Sequence, residues 1–162
     1  RFSLGEPDGS ESDRLKFISD TLKRAGFRAP IQKNIRDEIW LKLIGNLSFN
    51  PISALTGATL EQICNDQGTE AIVRAMMTEA KIIAEKLGAK INMSIEKRIE
   101  GARKVGAHKT SMLQDIEAGK PIEIDSIIIA VKELGELTCS PTPYIDTILN
   151  LTLQKAKLIG CL

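Results

Sequence analysis

Histidine occurs once in this chain, cysteine three times and tryptophan once. His108 stands alone, and Cys64, Cys139 and Cys161 are scattered singly, so there is no CxxC and no His/Cys cluster of the kind that holds zinc. Three isolated cysteines give no disulfide framework, and the reading that follows is a reducing, cytoplasmic compartment. No signal-peptide pattern is visible, and no apolar run approaches the roughly 20 residues that cross a bilayer. An excess of either charge is missing too. Lys+Arg 22 against Asp+Glu 21 leaves +1, which gives no electrostatic case for a nucleic acid or an acidic membrane surface. Also absent is a GxGxxG turn between a strand and a helix, the fingerprint of a dinucleotide-binding domain.

What is present is a globular composition. The 162 residues, 43% hydrophobic and 27% charged, suffice for one domain with a real core. Arg1 to Leu4 alternates like a strand and ends in the turn-rich Gly5-Glu6-Pro7-Asp8-Gly9. Ser10 or Ser12 then caps a helix with Leu15, Ile18 and Leu22 inward and Gly26 at its end, and Phe27 to Gln32 is extended again. Strand–helix–strand is a fragment of an α/β layer. From Asn34 onward the apolar spacing is helical. A long helix opens near Ile35, with Ile35, Ile39, Leu43 and Leu47 as its stripe, and Pro51 is expected to kink or end it. Thr59, Asp66 and Ser94 each read as the N-cap of a further helix. The helix after Asp66 turns Ile72, Val73, Met76, Ala80, Ile83 and Leu87 inward, and the Glu/Lys/Arg-rich helix after Ser94 reads as solvated. A helix from near Ile124 to Leu137 buries Ile124, Ile127, Ile128, Val131 and Leu134. In the last helix Thr142-Pro143 is an N-cap with Pro at N1, and Ile145, Ile148, Leu149 and Leu151 to Leu153 form the apolar side.

Two stretches carry groups suited to a small polar ligand. In the first, Lys42, Asn46 and Asn50 recur at i, i+4 and i+8 of the long helix and share one face. Amides and an amine on a partly buried row need partners, since unpaired polar burial is costly. In the second, Thr110 or Ser111 caps a short helix whose inner side is Met112, Leu113 and Ile116. Gly119 stops it, and Pro121 leads to Glu123 and Asp125 at the next helix. An ammonium beside Glu123 could protonate a carbonyl oxygen, which is general-acid work. A structural Lys–Glu pair with capping asparagines accounts for the same residues.

Trp40, Lys42, Asn46, Asn50 and Pro51, followed by Ser111-Met-Leu-Gln-Asp115 and Glu123-Ile-Asp125, resemble the C-terminal domain of the ketopantoate reductase family. Gly5-Glu-Pro-Asp-Gly9 and Ala25-Gly-Phe27 resemble the end of that family's nucleotide-binding domain, and Pro141-Thr-Pro143 the segment before its last helix. The resemblance implies a mainly α fold. A 6-phosphogluconate-dehydrogenase-C-terminal-like helical bundle over residues 34–162 follows residues 1–33, the tail of a truncated Rossmann-type domain. It implies NADPH-dependent reduction of 2-dehydropantoate to pantoate. Lys42 is the expected acid and Glu123 the group that places substrate and tunes it. Asn46 and Asn50 would bind the substrate's hydroxyl end and Ser111 its carboxylate, with Asp115 and Asp125 as structural acids. Most cofactor-binding residues belong to the missing domain, and Glu123 is the one offered to the cofactor here. Without that domain the fragment is expected to be inactive. Ile129 departs from the family, which often has Gly at that position. A small 2-oxo acid substrate, no metal, no nucleic acid or membrane partner and a homodimer complete the expectation. Two rival readings stay open: reduction of another 2-oxo acid, and a non-catalytic all-α dimerisation module.

Overall fold

A computed structural model describes all residues, Arg1–Leu162. Eight α-helices follow one another: α1 (Asp13–Arg24), α2 (Ile35–Thr56), α3 (Leu60–Asn65), α4 (Gln67–Lys86), α5 (Ile95–Val105), α6 (Ser111–Glu117), α7 (Ala130–Leu137) and α8 (Pro143–Ile159). A single π-helical turn, Asp125–Ile129, leads into α7. Two compact units divide the chain, Arg1–Lys42 and Leu43–Leu162. No helix is long and apolar enough to cross a membrane.

In the first unit the two extended stretches do pair in parallel, through Phe2 N–H to Arg28 O (2.8 Å), Leu4 N–H to Pro30 O (3.0 Å) and Gln32 N–H to Leu4 O (2.7 Å). They form one bridge, Leu4 with Ile31, and no regular strand. Pro30 has no N–H to give, which shortens the ladder. Ser12 caps α1 by accepting from Leu15 N–H. Contrary to the sequence pattern, Ile18 is exposed, and Ser19 is fully buried in its place with its hydroxyl on Ala29 O at 2.7 Å. Ile39 of α2 is exposed as well, so the expected stripe is not continuous. Glu6 is buried in the turn-rich loop, where it accepts from Ser12 and from both Nε and Nη2 of Arg14 (2.9 and 2.5 Å).

The second unit is built round α4, which packs on α3, α5, α7 and α8. Val73, Met76, Met77, Ala80, Ile83 and Ala84 are fully buried, while Ile72 is half-buried and Leu87 exposed. Thr59, Asp66, Ser94 and Thr110 cap their helices as side-chain acceptors. Pro51 does not end α2, which continues to Thr56. Residues Leu47 to Ala54 are all buried, and packing around the whole circumference outweighs the roughly 3 kcal/mol that a mid-helix proline costs. The end of α2 is instead closed from outside. Lys155 of α8 donates to Ala54 O (2.5 Å) and Leu55 O (3.1 Å), putting a cation on the carbonyl end of the helix.

Further departures concern ends and faces. Thr142 makes no side-chain cap on α8. Buried Glu79 of α4 does the capping, accepting from Tyr144 N–H and Ile145 N–H at 3.0 Å each. The helix expected from Ile124 begins with the π turn, in which Ala130 N–H bonds Asp125 O. Leu134 is half-buried, Leu151 is 52% exposed and Thr152 takes the inward position. On α5, Glu100 does pair with Arg103 and Lys104, but Arg98 is only partly exposed, with its Nε buried.

Glu79→Ala is expected to lower unfolding stability by about 1–3 kcal/mol in a denaturant titration, because two buried N–H groups lose their acceptor. Burial, the largest influence, raises the Glu79 pKa, and the two N–H bonds act against it. The folded state then holds the proton more tightly than the unfolded chain. Its contribution falls as pH rises from the ordinary glutamate range through the raised value. Glu79→Gln should remove that slope.

Candidate functional site

Asn46 and Asn50 lie one turn apart on α2, and Asn50 is 5% exposed. Its Nδ2 donates to Ser111 Oγ at 3.5 Å, joining α2 to the first residue of α6. Local sequence sets this up. Buried Thr110 accepts from Leu113 N–H and so takes the cap, and Gln114 bonds Lys109 O at 2.8 Å to brace the preceding loop. The adjacent Ser111 hydroxyl is therefore not consumed by capping, and it is exposed. Gly119 ends the helix at φ 64°, a left-handed conformation that a side chain disfavours.

Glu123 is exposed between two buried isoleucines that fix the backbone around it. Ile122 N–H bonds Cys161 O (3.0 Å) and Ile124 N–H bonds Ile122 O (2.9 Å). Within the second unit the Glu123 carboxylate has no hydrogen bond and no ion pair. Asp115 is half-buried, Asp125 is exposed at the start of the π turn, and His108 is exposed with its carbonyl accepting from Leu60 N–H at 3.0 Å. Lys42 belongs to the first unit, on an exposed position of α2. Among the sequence-predicted residues, the structure thus brings Asn50 and Ser111 into direct contact. No group of three or more His, Cys, Asp or Glu side chains forms a metal-binding cluster.

Arg98 was read as part of a solvated face, and the structure seats it against α2. Its side chain lies against Gly45, next to Asn46: a Cβ on Gly45 would collide with Nη2 and stand 2.7 Å from Nε and 2.8 Å from Cζ. Burial lowers its pKa from the ordinary value, yet a guanidinium stays charged in proteins. The signal available in sequence was Gly45 itself, since glycine inside a long helix is costly and asks for a close neighbour.

With this geometry in place, comparison with known proteins adds the family. The profile described as "Ketopantoate reductase PanE/ApbA C terminal" matches residues 34–156. A 2-dehydropantoate 2-reductase of Mesorhizobium japonicum is 53% identical over 161 residues, covering 99% of this chain and 49% of the relative. One from Archaeoglobus fulgidus is 29% identical, covering 91% of this chain and 50% of its own length. The crystal structure of 2-dehydropantoate 2-reductase from Methylococcus capsulatus superposes with a TM-score of 0.90 at 31% identity, covering 98% of this chain and 51% of that one. A protein of Ralstonia solanacearum MolK2 does so at 0.94 and 42%, covering 99% and 49%. The chain belongs to the ketopantoate reductase C-terminal family. It spans about half the length of the curated relatives it matches.

A 3.5 Å amide–hydroxyl contact is long for a strong bond. An Asn50→Ala/Ser111→Ala double-mutant cycle on stability is therefore expected to give a coupling below about 1 kcal/mol. A larger value would mark the pair as structural rather than as groups open to a ligand.

Proposed function

We propose that the intact protein is an NADPH-dependent reductase of a small 2-oxo acid, converting 2-dehydropantoate to pantoate. The Asn50–Ser111 contact carries this reading, because it supports one polar surface made from the two stretches that resemble the family's substrate site. In it Ser111 holds the substrate carboxylate through its uncommitted hydroxyl. Asn46 and Asn50 present amides to the substrate's hydroxyl end, and their position one turn apart on α2 fixes the spacing. Lys42, one turn before Asn46 on the same helix, gives its Nζ proton to the carbonyl oxygen. Glu123 favours the charged form of that lysine and orients the acid. When bound, the nicotinamide supplies the hydride to the carbonyl carbon. The residues present here form no dinucleotide cradle, since no Gly-rich turn joins a strand to a helix. Cofactor binding is assigned mainly to the part of the relatives' length that this chain does not span, with Glu123 offered to the cofactor from this one.

The test uses the full-length enzyme and follows nicotinamide absorbance with 2-dehydropantoate. Lys42→Ala is expected to lower kcat by at least ~10²-fold, the scale of losing a positioned general acid. Ser111→Ala should act chiefly on KM, raising it about tenfold, as loss of a hydrogen bond to a charged group does. Near-wild-type turnover by the lysine variant would end its assignment as the acid.

A further inference from the structure

One cation of the second unit has no part in the reading above. Arg98, on α5, has a buried Nε with no hydrogen-bond partner. No charged neighbour offsets its burial, which alone accounts for its lowered pKa. A buried cationic N–H without an acceptor is unfavourable, and such groups are normally retained with a partner beside them. The guanidinium is also specifically seated, because it occupies the space that any side chain at position 45 would fill.

Successive residues of a helix turn by about 100°, so Gly45 and Asn50 point about 140° apart round α2, with Asn46 between them. Arg98 sits on the Gly45 flank of Asn46. Ser111 sits on the other flank, bonded to Asn50 at 3.5 Å. A ligand held by Ser111 and lying across Asn46 therefore turns its far end toward Arg98. We propose that Arg98 is a specificity-determining residue that binds a carboxylate at the far end of the ligand, so that the site accepts, besides the 2-dehydropantoate of the preceding reading, 2-oxo acids bearing a second acidic group. The planar fork of guanidinium donors matches a carboxylate in two-pronged fashion, whereas a neutral far end offers it a hydroxyl acceptor at most. This inference rests on the preceding reading that the α2–α6 surface holds an oxo acid.

The test takes the full-length enzyme as wild type, Arg98→Met, Arg98→Lys and Gly45→Ala, with circular dichroism to verify folding. Gly45→Ala displaces the guanidinium while keeping its charge. KM and kcat are measured for two 2-oxo acids of equal chain length, one ending in a methyl group and one in a carboxylate. Calorimetry follows binding of glutarate, which cannot be reduced. Arg98→Met should raise KM for the dicarboxylate at least about tenfold and leave the monocarboxylate within about twofold. Gly45→Ala should follow it in part, and Arg98→Lys should recover part of the loss. Equal effects on both acids, no effect on either, or a change in KM for the nicotinamide cofactor instead would overturn the inference. If wild type reduces neither acid nor 2-dehydropantoate, the reductase reading fails. Glutarate binding that disappears in Arg98→Met would then still uphold the role of Arg98, and undetectable glutarate binding to wild type would overturn it.

Discussion

The carboxylate of Glu79 is the interaction on which the second unit depends. It sits buried on the central helix and accepts the first free N–H groups of α8. That bond fixes the height of α8 against α4. From there Lys155 reaches back to the last carbonyls of α2, and Lys86 of α4 does the same for Thr138 and Cys139 after α7 (2.9 and 3.3 Å). A packed helical bundle must satisfy helix ends that water cannot reach. Here the groups come from neighbouring helices, so capping and packing hold the same set of positions.

Much of this was legible because it is local. Asp66 and Ser94 cap helices that start directly after them, and Met76 and Met77 recur with the helical period of a core face. The candidate site residues were singled out for a different reason. Asn50 and Ser111 are far apart in sequence, and no period links them; the resemblance to a family did, and the structure sets the two side chains 3.5 Å apart. What was not legible are pairings between distant residues that no local rule encodes. Thr142 had the chemistry of a cap, but Glu79 competed for the same N–H groups and won through a buried carboxylate. Ile18 fitted the apolar stripe of α1, but Ser19 had a carbonyl to bond. The π turn at Asp125–Ile129 leaves the buried positions Ile127, Ile128 and Val131 where an α-helix would also put them, so the hydrophobic pattern could not reveal it.

Gly45 and Arg98 show how a residue that looks unfavourable locally can serve a neighbour distant in sequence. Glycine weakens a helix interior by roughly 0.5–1 kcal/mol relative to alanine. A half-buried unpaired guanidinium adds an electrostatic cost of its own. The glycine leaves open the space in which the guanidinium is seated, but their pairing does not offset the charge. Polar features that reduce stability without a compensating contact are expected at functional surfaces. That expectation supports grouping Arg98, as proposed, with the Asn46–Asn50–Ser111 surface rather than with the solvated charges of α5.

Exposure sets how the proposed chemistry would be switched on. Lys42 and Glu123 are both exposed, whereas Asn50 is buried. In water two unit charges 4 Å apart interact by only about 1 kcal/mol, and by about 4 kcal/mol at the effective dielectric of a protein surface. A carboxylate can therefore hold a lysine charged and oriented with useful strength only after water has been displaced from around both. In the reading proposed, the oxo acid that settles on Asn46, Asn50 and Ser111 does the displacing. On that proposal, binding energy from amides and a hydroxyl that take no part in bond-making would strengthen the lysine–carboxylate interaction, and proton transfer would be coupled to occupancy of the site.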